Sequence, residues 1–349
     1  MPQQRIDFAL QARQPGTGCR LDDAGGCRPI DSASAEADNA SAPTDEPAAE
    51  VSSRTAGDPA RLVAVRLAKR RTGVSIKSYR RPLLFYGLST AVPWAFWFGA
   101  AYASRITPTN EILGAIVGIL GVLGLLGPTV VAFSLIWPDP IMREDLKRRI
   151  IGVRGIRFVH GFLACFLMLA SILLAQAISL LFGHGADQFR LAGRSSFSAG
   201  IFPGWFLLLL APMVEELAWH SYGTDCLRQR MSLLKTSLLF GVYWAIWHMP
   251  LSLIKGYYHS NVAESGLLYS INFMVSLVPY VVLMNWLYYK TRRSILVAVV
   301  FHITAGCFNE MFCTHPDSKV IQTVLLLLLS IVVVARDRDF FLRREYRES

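Results

Sequence analysis

Residues 205–220 read WFLLLLAPMVEELAWH, an apolar stretch that ends in two adjacent glutamates and a histidine. A helix of about 20 mostly apolar residues is long enough to cross a bilayer. Eight stretches of this kind occur along the chain: 83–103, 112–137, 158–183, 199–219, 234–254, 267–289, 294–312 and 320–335. Their length favours helices over the shorter, alternating strands of membrane barrels. The sequence therefore predicts an all-α, multi-span helical membrane protein with about eight transmembrane helices.

The composition excludes an ordinary soluble enzyme. Of the 349 residues, 53% are hydrophobic and 17% are charged, whereas about a quarter of a soluble domain is charged. Residues 1–78 differ from the rest, because no aromatic residue lies between Ala9 and Ser78. Such a segment buries too little apolar surface to offset its ordering entropy. We therefore expect a disordered cytoplasmic tail over 1–78 with a basic end beside the first span, a helical membrane domain over 79–340 and a cytoplasmic end over 341–349.

Basic residues alternate sharply between the connections of the predicted spans. Counted from Arg61 onward, alternate connections, including the segments before the first span and after the last, carry 25 Lys and Arg, and the intervening connections carry 5. By the positive-inside rule this pattern predicts a multi-pass protein of the cell membrane with both termini cytoplasmic. The formal net charge of +10 is accordingly expected to lie against anionic membrane lipid. No nucleic-acid partner is expected.

Ionisable residues inside three predicted spans are the candidate functional residues, because such groups are costly in a bilayer. Glu215, Glu216 and His220 lie late in the fourth span, His248 lies in the fifth and His302 in the seventh. Adjacent positions on a helix are about 100° apart. One of the two glutamates is therefore expected to meet the histidines, while the other turns away toward His220, one helical turn on.

One carboxylate and two imidazoles allow two kinds of hydrolytic chemistry. In the first, the carboxylate takes a proton from water and an imidazole orients the water or stabilises an oxyanion. In the second, the same three groups bind a divalent metal such as zinc and leave one coordination position open. Both kinds hydrolyse an amide bond, and the residues alone do not choose between them. A purely structural role, in which each group bonds neighbouring backbone, accounts less well for three such groups together.

The three segments resemble the motifs of the CPBP family of intramembrane proteases, which includes CAAX prenyl endopeptidases and bacteriocin-processing or self-immunity proteins. The family pattern is Glu-Glu-x-x-x-Arg, then Phe-x-x-x-His, then His-x-x-x-Asn. Here Glu215-Glu216-Leu-Ala-Trp-His220 matches the first motif except at its last position. Trp244-Ala-Ile-Trp-His248 matches the second with Trp for Phe, and His302-Ile-Thr-Ala-Gly306 lacks the Asn of the third. The resemblance covers residues 199–312.

The resemblance implies an all-helical intramembrane endopeptidase whose catalytic core is 199–312 and whose substrate is a peptide or a membrane protein. Glu215 and His248 would activate water, and His302 would stabilise the oxyanion. If the enzyme uses a metal, the same three residues would bind it. The expected supporting residues are Glu216, His220, Trp244 and Asn285, the last as a substitute for the oxyanion donor that Gly306 lacks.

Two alternatives to an active protease stay open at this point. The departures at His220 and Gly306 fit a catalytically inactive membrane partner or immunity protein of the same fold. Buried glutamate and histidine also occur in proton-coupled transporters, but the ionisable residues lie in one half of the chain and no internal repeat is visible. Because Glu215 and His302 fall in the cytoplasmic half of their spans, we expect the site to open toward the cytoplasm.

Overall fold

The computed structural model describes residues 20–21, 27–28, 76–108, 110–153, 155–193, 195, 197 and 202–344. In the N-terminal unit, Met1–Pro59, the two-residue strands β1 (Arg20–Leu21) and β2 (Cys27–Arg28) pair in antiparallel fashion. The prediction of a disordered tail over 1–78 otherwise concerns residues outside the described part, apart from a 3₁₀ turn at Ile76–Ser78. Residues 345–349 of the predicted C-terminal end lie outside it as well.

The described part of the second unit, Ala60–Ser349, is mostly helical, which confirms the predicted fold class. Its helices are α1 (Pro82–Ala103), α2 (Glu111–Ile136), α3 (Pro140–Ile150), α4 (Phe158–Ser179), α5 (Gly204–Ala218), α6 (Thr224–Arg228), α7 (Leu233–Trp247), α8 (Tyr258–Glu264), α9 (Leu267–Lys290), α10 (Ile295–Met311), α11 (Pro316–Arg336) and α12 (Arg338–Leu342). A π-helix at Trp219–Gly223 continues α5 into α6, and 3₁₀ turns lie at Leu180–Phe182, Ala186–Phe189 and Met249–Leu253. Each of the eight predicted stretches contains one helix, although α5 and α7 have only 15 residues each.

Several helices are long and apolar enough to cross a membrane. Among the described residues, five meet this criterion on their own: α1, α2, α4 with the turn after it, α9 and α11. The helix pair of α7 and α8, bent by 83°, raises the number to as many as six. The apolar helix α10 is shorter, with 17 residues. The chain is therefore a multi-pass membrane protein.

The glycines of α2 allow this helix to approach its neighbours closely. A Cβ atom at Gly124 would lie 2.2 Å from the indole nitrogen of Trp97 on α1. That same nitrogen donates a hydrogen bond to the carbonyl of Gly121 at 3.1 Å. Small residues that permit such contacts are common between membrane helices. By contrast, a Cβ at Gly114, near the start of α2, would meet no atom within 4 Å.

The helices that carry the candidate residues lie in the middle of the bundle. Helix α5 packs against α2 and α10, α7 packs against α9, and α10 also packs against α4. Between them lie three fully buried tryptophans, of which Trp219 and Trp247 meet edge to face with ring centroids 5.2 Å apart. The third, Trp244, stacks on Phe240. This aromatic core fixes the positions of the polar side chains described next.

Candidate active site

Glu215 points into a cavity and is held there by two indoles. Its Oε2 atom accepts a hydrogen bond from Trp244 at 2.9 Å and another from Trp219 at 3.3 Å. The residue is only 6% exposed. Because both donors are rigid ring N–H groups on buried side chains, the carboxylate is fixed in direction, and its other oxygen, Oε1, is available to the cavity. Trp244, which the sequence predicts as a supporting residue, thus contacts Glu215 directly.

Glu216 turns to the other side of the helix and bonds two histidines. Its Oε1 atom accepts from Nδ1 of His302 at 2.8 Å, and its Oε2 atom pairs with Nδ1 of His220. Nε2 of His220 lies 3.0 Å from Oδ1 of Asn285, whose amide nitrogen donates to Ser237. His220 therefore takes up a bridging position between Glu216 and Asn285. Glu216 turns toward His220 as expected, but it also bonds His302, whereas Glu215 shares a cavity with His248 and His302.

His248 caps the end of α7 and presents one ring nitrogen to the cavity. Its Nδ1 atom donates to the carbonyl of Trp244 at 2.7 Å. This bond fixes the tautomer, so that Nε2 carries the lone pair. The imidazole stacks on His259 with ring centroids 5.0 Å apart and is 8% exposed. It can accept a hydrogen bond from a water molecule beside Glu215.

Glu215, His248 and His302, from three different helices, line one cavity of about 500 Å³. Most of its remaining wall is apolar and comes from α2, α5, α9 and α11. Gly306 is also part of the wall, whereas Asn285 is fully buried behind His220. Asn285 is consequently placed to hold His220 and is not placed to substitute for the missing oxyanion donor.

The π-helix after the two glutamates is held by groups from distant parts of the chain. Where a π-turn interrupts an α-helix, the register of the backbone hydrogen bonds changes, and carbonyl groups there can accept bonds from side chains. Arg149 donates to the carbonyls of His220 at 2.8 Å and of Ser221 at 2.9 Å. The hydroxyl of Tyr288 also donates to the carbonyl of His220, at 2.8 Å. These bonds fix the backbone from which His220 reaches Glu216.

A buried cluster of charges in turn holds Arg149. Nε of Arg149 lies 2.8 Å from Asp145, and its Nη1 atom lies 3.1 Å from Asp225. Arg293 pairs with both of these aspartates. Burial acts to raise the pKa of Asp145, but Arg149, Arg293 and the hydroxyl of Tyr79 hold that pKa below its ordinary value. The four charged residues join α3, α6 and the start of α10 on one side of the catalytic residues.

The three catalytic candidates do not form a ready metal site. Among the residues that the structure describes, a single group of three potential ligands has all its ligand atoms within 4.8 Å of one another, and it is His184, His315 and Asp317. Glu215, His248 and His302 do not meet that condition. In addition, both indole bonds to Glu215 go to one carboxylate oxygen, an arrangement suited to an ionised base. The geometry of these residues fits activation of water by the carboxylate.

Two cavity residues were missed by the sequence analysis. Tyr280 lines the cavity, and its buried hydroxyl has no hydrogen-bond partner among the described residues. Its ring stacks on Phe301 with centroids 5.2 Å apart, beside His302. His259, on α8, is half-buried against His248 and also lines the cavity. In the sequence, neither residue differs from an ordinary tyrosine in an apolar helix or an ordinary histidine in a connection.

The lining of the cavity includes two connections between helices, and the expected opening toward the cytoplasm stays a prediction. Besides the deep residues, it includes Tyr257–His259 and Tyr269 around α8, and Thr314, Pro316 and Lys319 around the start of α11. These residues belong to the connections that carry few basic residues. Under the positive-inside rule those connections lie on the side away from the cytoplasm. The expectation was based on how deep Glu215 and His302 lie along their own helices. That depth does not determine which connections enclose the cavity.

Comparison with known proteins identifies the class of this membrane protein. Residues 197–308 match the family described as Type II CAAX prenyl endopeptidase Rce1-like. The chain is also 32% identical over 272 residues to CAAX prenyl protease 2 of Methanococcus maripaludis, a match that covers 77% of this chain and 99% of that protein. A membrane-embedded helical bundle with this similarity is an intramembrane endopeptidase, a hydrolase of peptide bonds. The chain belongs to the CPBP family, and the resemblance drawn from its three motifs is confirmed.

Proposed function

We propose that the chain cleaves a peptide bond by attack of water that Glu215 deprotonates, without a metal at the catalytic residues. The observation that carries this proposal is the meeting of Glu215, His248 and His302 in one cavity, with Glu215 fixed by two indole donors. An active enzyme is favoured over an inactive homologue because His220, the first departure from the family motifs, keeps a bond to Glu216.

The proposed reaction begins with a water molecule between Glu215 and His248. Nε2 of His248 accepts one hydrogen bond from the water, and Glu215 takes its proton as the oxygen attacks the carbonyl carbon. The doubly protonated ring of His302 donates from Nε2 to the oxyanion, with Glu216 as its counter-ion. The carbon–nitrogen bond then breaks, and Glu215 returns the proton to the leaving amine.

Tyr280 supplies the second oxyanion donor in this proposal. The family motif has an Asn one helical turn after the histidine, where this chain has Gly306. A buried hydroxyl without a partner is costly, and Tyr280, whose hydroxyl has none, is part of the cavity wall with its ring beside that of His302. A transition-state oxygen would satisfy it. Tyr280→Phe should therefore lower kcat by about 10- to 1,000-fold with little change in KM.

The proposed substrates are peptides with a prenylated cysteine near the C-terminus. This class is suggested by the names of the family and of the Methanococcus maripaludis relative. The largely apolar cavity wall supports it, since an isoprenoid chain needs such a surface. We further propose that both termini are cytoplasmic, on the 25 to 5 distribution of basic residues. A prenylated substrate from the cytoplasmic leaflet then has to reach Glu215 from within the bilayer.

The test uses the purified full-length protein in detergent with a synthetic CAAX peptide, farnesylated or unmodified. Wild type should cleave the farnesylated peptide, and Glu215→Gln should lower cleavage by about 10²- to 10⁴-fold. Glu144→Gln, the same change at an exposed glutamate on α3, is the matched control and should leave cleavage unchanged. Equal cleavage by wild type and Glu215→Gln would refute the role of the base. Equal cleavage of both peptides would refute the substrate class alone.

Orientation is tested by cysteine labelling in intact cells. A cysteine at Ser265, exposed between α8 and α9, should react with a membrane-impermeant maleimide added outside. A cysteine at Arg148, exposed on α3, should react only after permeabilisation. Reaction in the opposite pattern would reverse the proposed topology and place the connections around the cavity on the cytoplasmic side.

A further inference from the structure

We propose that His184, His315 and Asp317 form a zinc site separate from the catalytic residues. His184 follows α4, and the other two residues lie at the start of α11. One ligand atom from each residue lies within 4.8 Å of the ligand atoms of the other two. The residues are distant in sequence, so the fold itself brings them together.

The distances suit a tetrahedral ion. Oδ2 of Asp317 lies 3.3 Å from Nε2 of His184 and 3.5 Å from Nδ1 of His315. Zinc bonds nitrogen and oxygen at about 2.0–2.1 Å, so neighbouring ligands in a tetrahedron are about 3.4 Å apart. The two imidazole rings lie side by side, with centroids 4.2 Å apart and planes inclined by 33°. Two of the three ligand distances therefore match a tetrahedral site, and the two histidine nitrogens lie within 4.8 Å of each other.

A neighbouring helix orients the carboxylate ligand. The hydroxyl of Tyr269 on α9 donates to Oδ1 of Asp317 at 2.9 Å, which leaves Oδ2 facing the histidines. Such outer hydrogen bonds are typical of metal ligands. Nδ1 of His315 accepts the backbone N–H of Asp317 at 3.2 Å. When zinc binds, the lone pair of His315 Nδ1 would bond the ion and would no longer accept the backbone N–H of Asp317.

The donor set selects zinc over the common hard cations. Magnesium and calcium prefer oxygen ligands, whereas two imidazoles and one carboxylate suit zinc. The three side chains are between 23% and 45% exposed, so the fourth position is open to water. Because no deep burial is involved, the ion can enter from the aqueous side.

Zinc at this position would stabilise the part of the cavity wall that lies between the connections after α4 and α10. The two ligand-bearing segments are already joined by backbone hydrogen bonds from Ala192 to Met311 at 2.8 Å and from Cys313 to Arg190 at 2.9 Å. Pro316, between the two ligands of α11, lines the cavity. An ion that links His184 to α11 would thus hold the connection after α10 against the connection after α4. Its role is structural, and it takes no part in the reaction.

The experiment measures zinc binding by the chelator-treated full-length protein in detergent, through metal content after dialysis and through thermal melting with added zinc chloride. Wild type should bind zinc and melt at a higher temperature with it, while magnesium chloride should have no effect. His184→Gln should weaken zinc binding by at least about 100-fold, and Tyr269→Phe should weaken it by about 10- to 100-fold. His160→Gln, a histidine at the opposite end of α4, is the matched control.

Glu215→Gln separates this site from the catalytic residues, because it should leave zinc content unchanged. Equal zinc content and equal zinc-dependent melting in wild type and His184→Gln would overturn the proposal. Binding only at millimolar zinc would overturn it as well, since the three residues would then be an ion pair that collects adventitious metal. Loss of zinc in His160→Gln to the same extent as in His184→Gln would assign the effect to general destabilisation.

Discussion

Replacement by glutamine should have different effects at the two adjacent glutamates: it should lower the stability of the protein at Glu216 and its activity at Glu215. Glu216 is fully buried, and its carboxylate pairs with Nδ1 of both His220 and His302. Glu216→Gln keeps the shape but removes the charge, and its amide group offers one acceptor where two ring N–H groups need one each. Glu215 accepts two indole bonds on a single oxygen, which a glutamine oxygen can also accept.

The expected loss of stability follows from these bonds. A hydrogen bond to a charged group contributes about 1.5–3 kcal/mol, and a neutral bond contributes about 1 kcal/mol. Exchanging two charged bonds for one neutral bond should lower the free energy of unfolding of Glu216→Gln by about 2–5 kcal/mol. At about 2–4 °C per kcal/mol, the value for domains of about 150–250 residues, its Tm should fall by about 4–20 °C. Glu215→Gln should melt within a few degrees of wild type and yet lose cleavage.

The assay pairs thermal melting in detergent with cleavage of the farnesylated peptide for both variants. Cleavage by Glu216→Gln should be measured well below its Tm, where any loss reflects the position of His302. If Glu216→Gln melts like wild type while Glu215→Gln melts early, the assignment of the two carboxylates is reversed. If both variants melt and cleave like wild type, neither glutamate has the role that its contacts indicate.

Three further outcomes are expected. Gly306→Asn should fold, because its Cβ meets only Leu208 Cδ2 at 3.3 Å, and a peptide assay should show faster cleavage from the added donor. The pKa of Asp145 is lower in the folded protein than its ordinary 3.8; its stabilisation is therefore present above about pH 4 and is lost as the pH falls below it. Asp145→Asn should lower the Tm at pH 7 and flatten this acid-side fall in melting scans. Gly124→Val should lower the Tm, because its side chain would overlap Trp97; an unchanged Tm would show that the first two helices can separate.

The helices could be predicted from the sequence because each is an apolar stretch of the right length. The catalytic candidates could be identified because ionisable residues stand out in such stretches, and Glu215, His248 and His302 do line one cavity. The sequence could not assign the partners of Glu216, since these depend on how α5, α9 and α10 are rotated about their axes. The partners of Asp225 could not be assigned either. In the sequence it is an acidic residue in a basic connection, and the folded chain buries it between Arg149 and Arg293.

The length of α10 has a consequence for the lipid around the enzyme. Its 17 residues rise about 25 Å, whereas the hydrocarbon core of a bilayer is about 30 Å thick. A helix that is too short for its membrane thins the bilayer locally or draws polar groups inward. His302 lies on this helix, so thinning would shorten the path of water to the scissile bond. Turnover in reconstituted vesicles should accordingly fall as the acyl chains of the host lipid are lengthened.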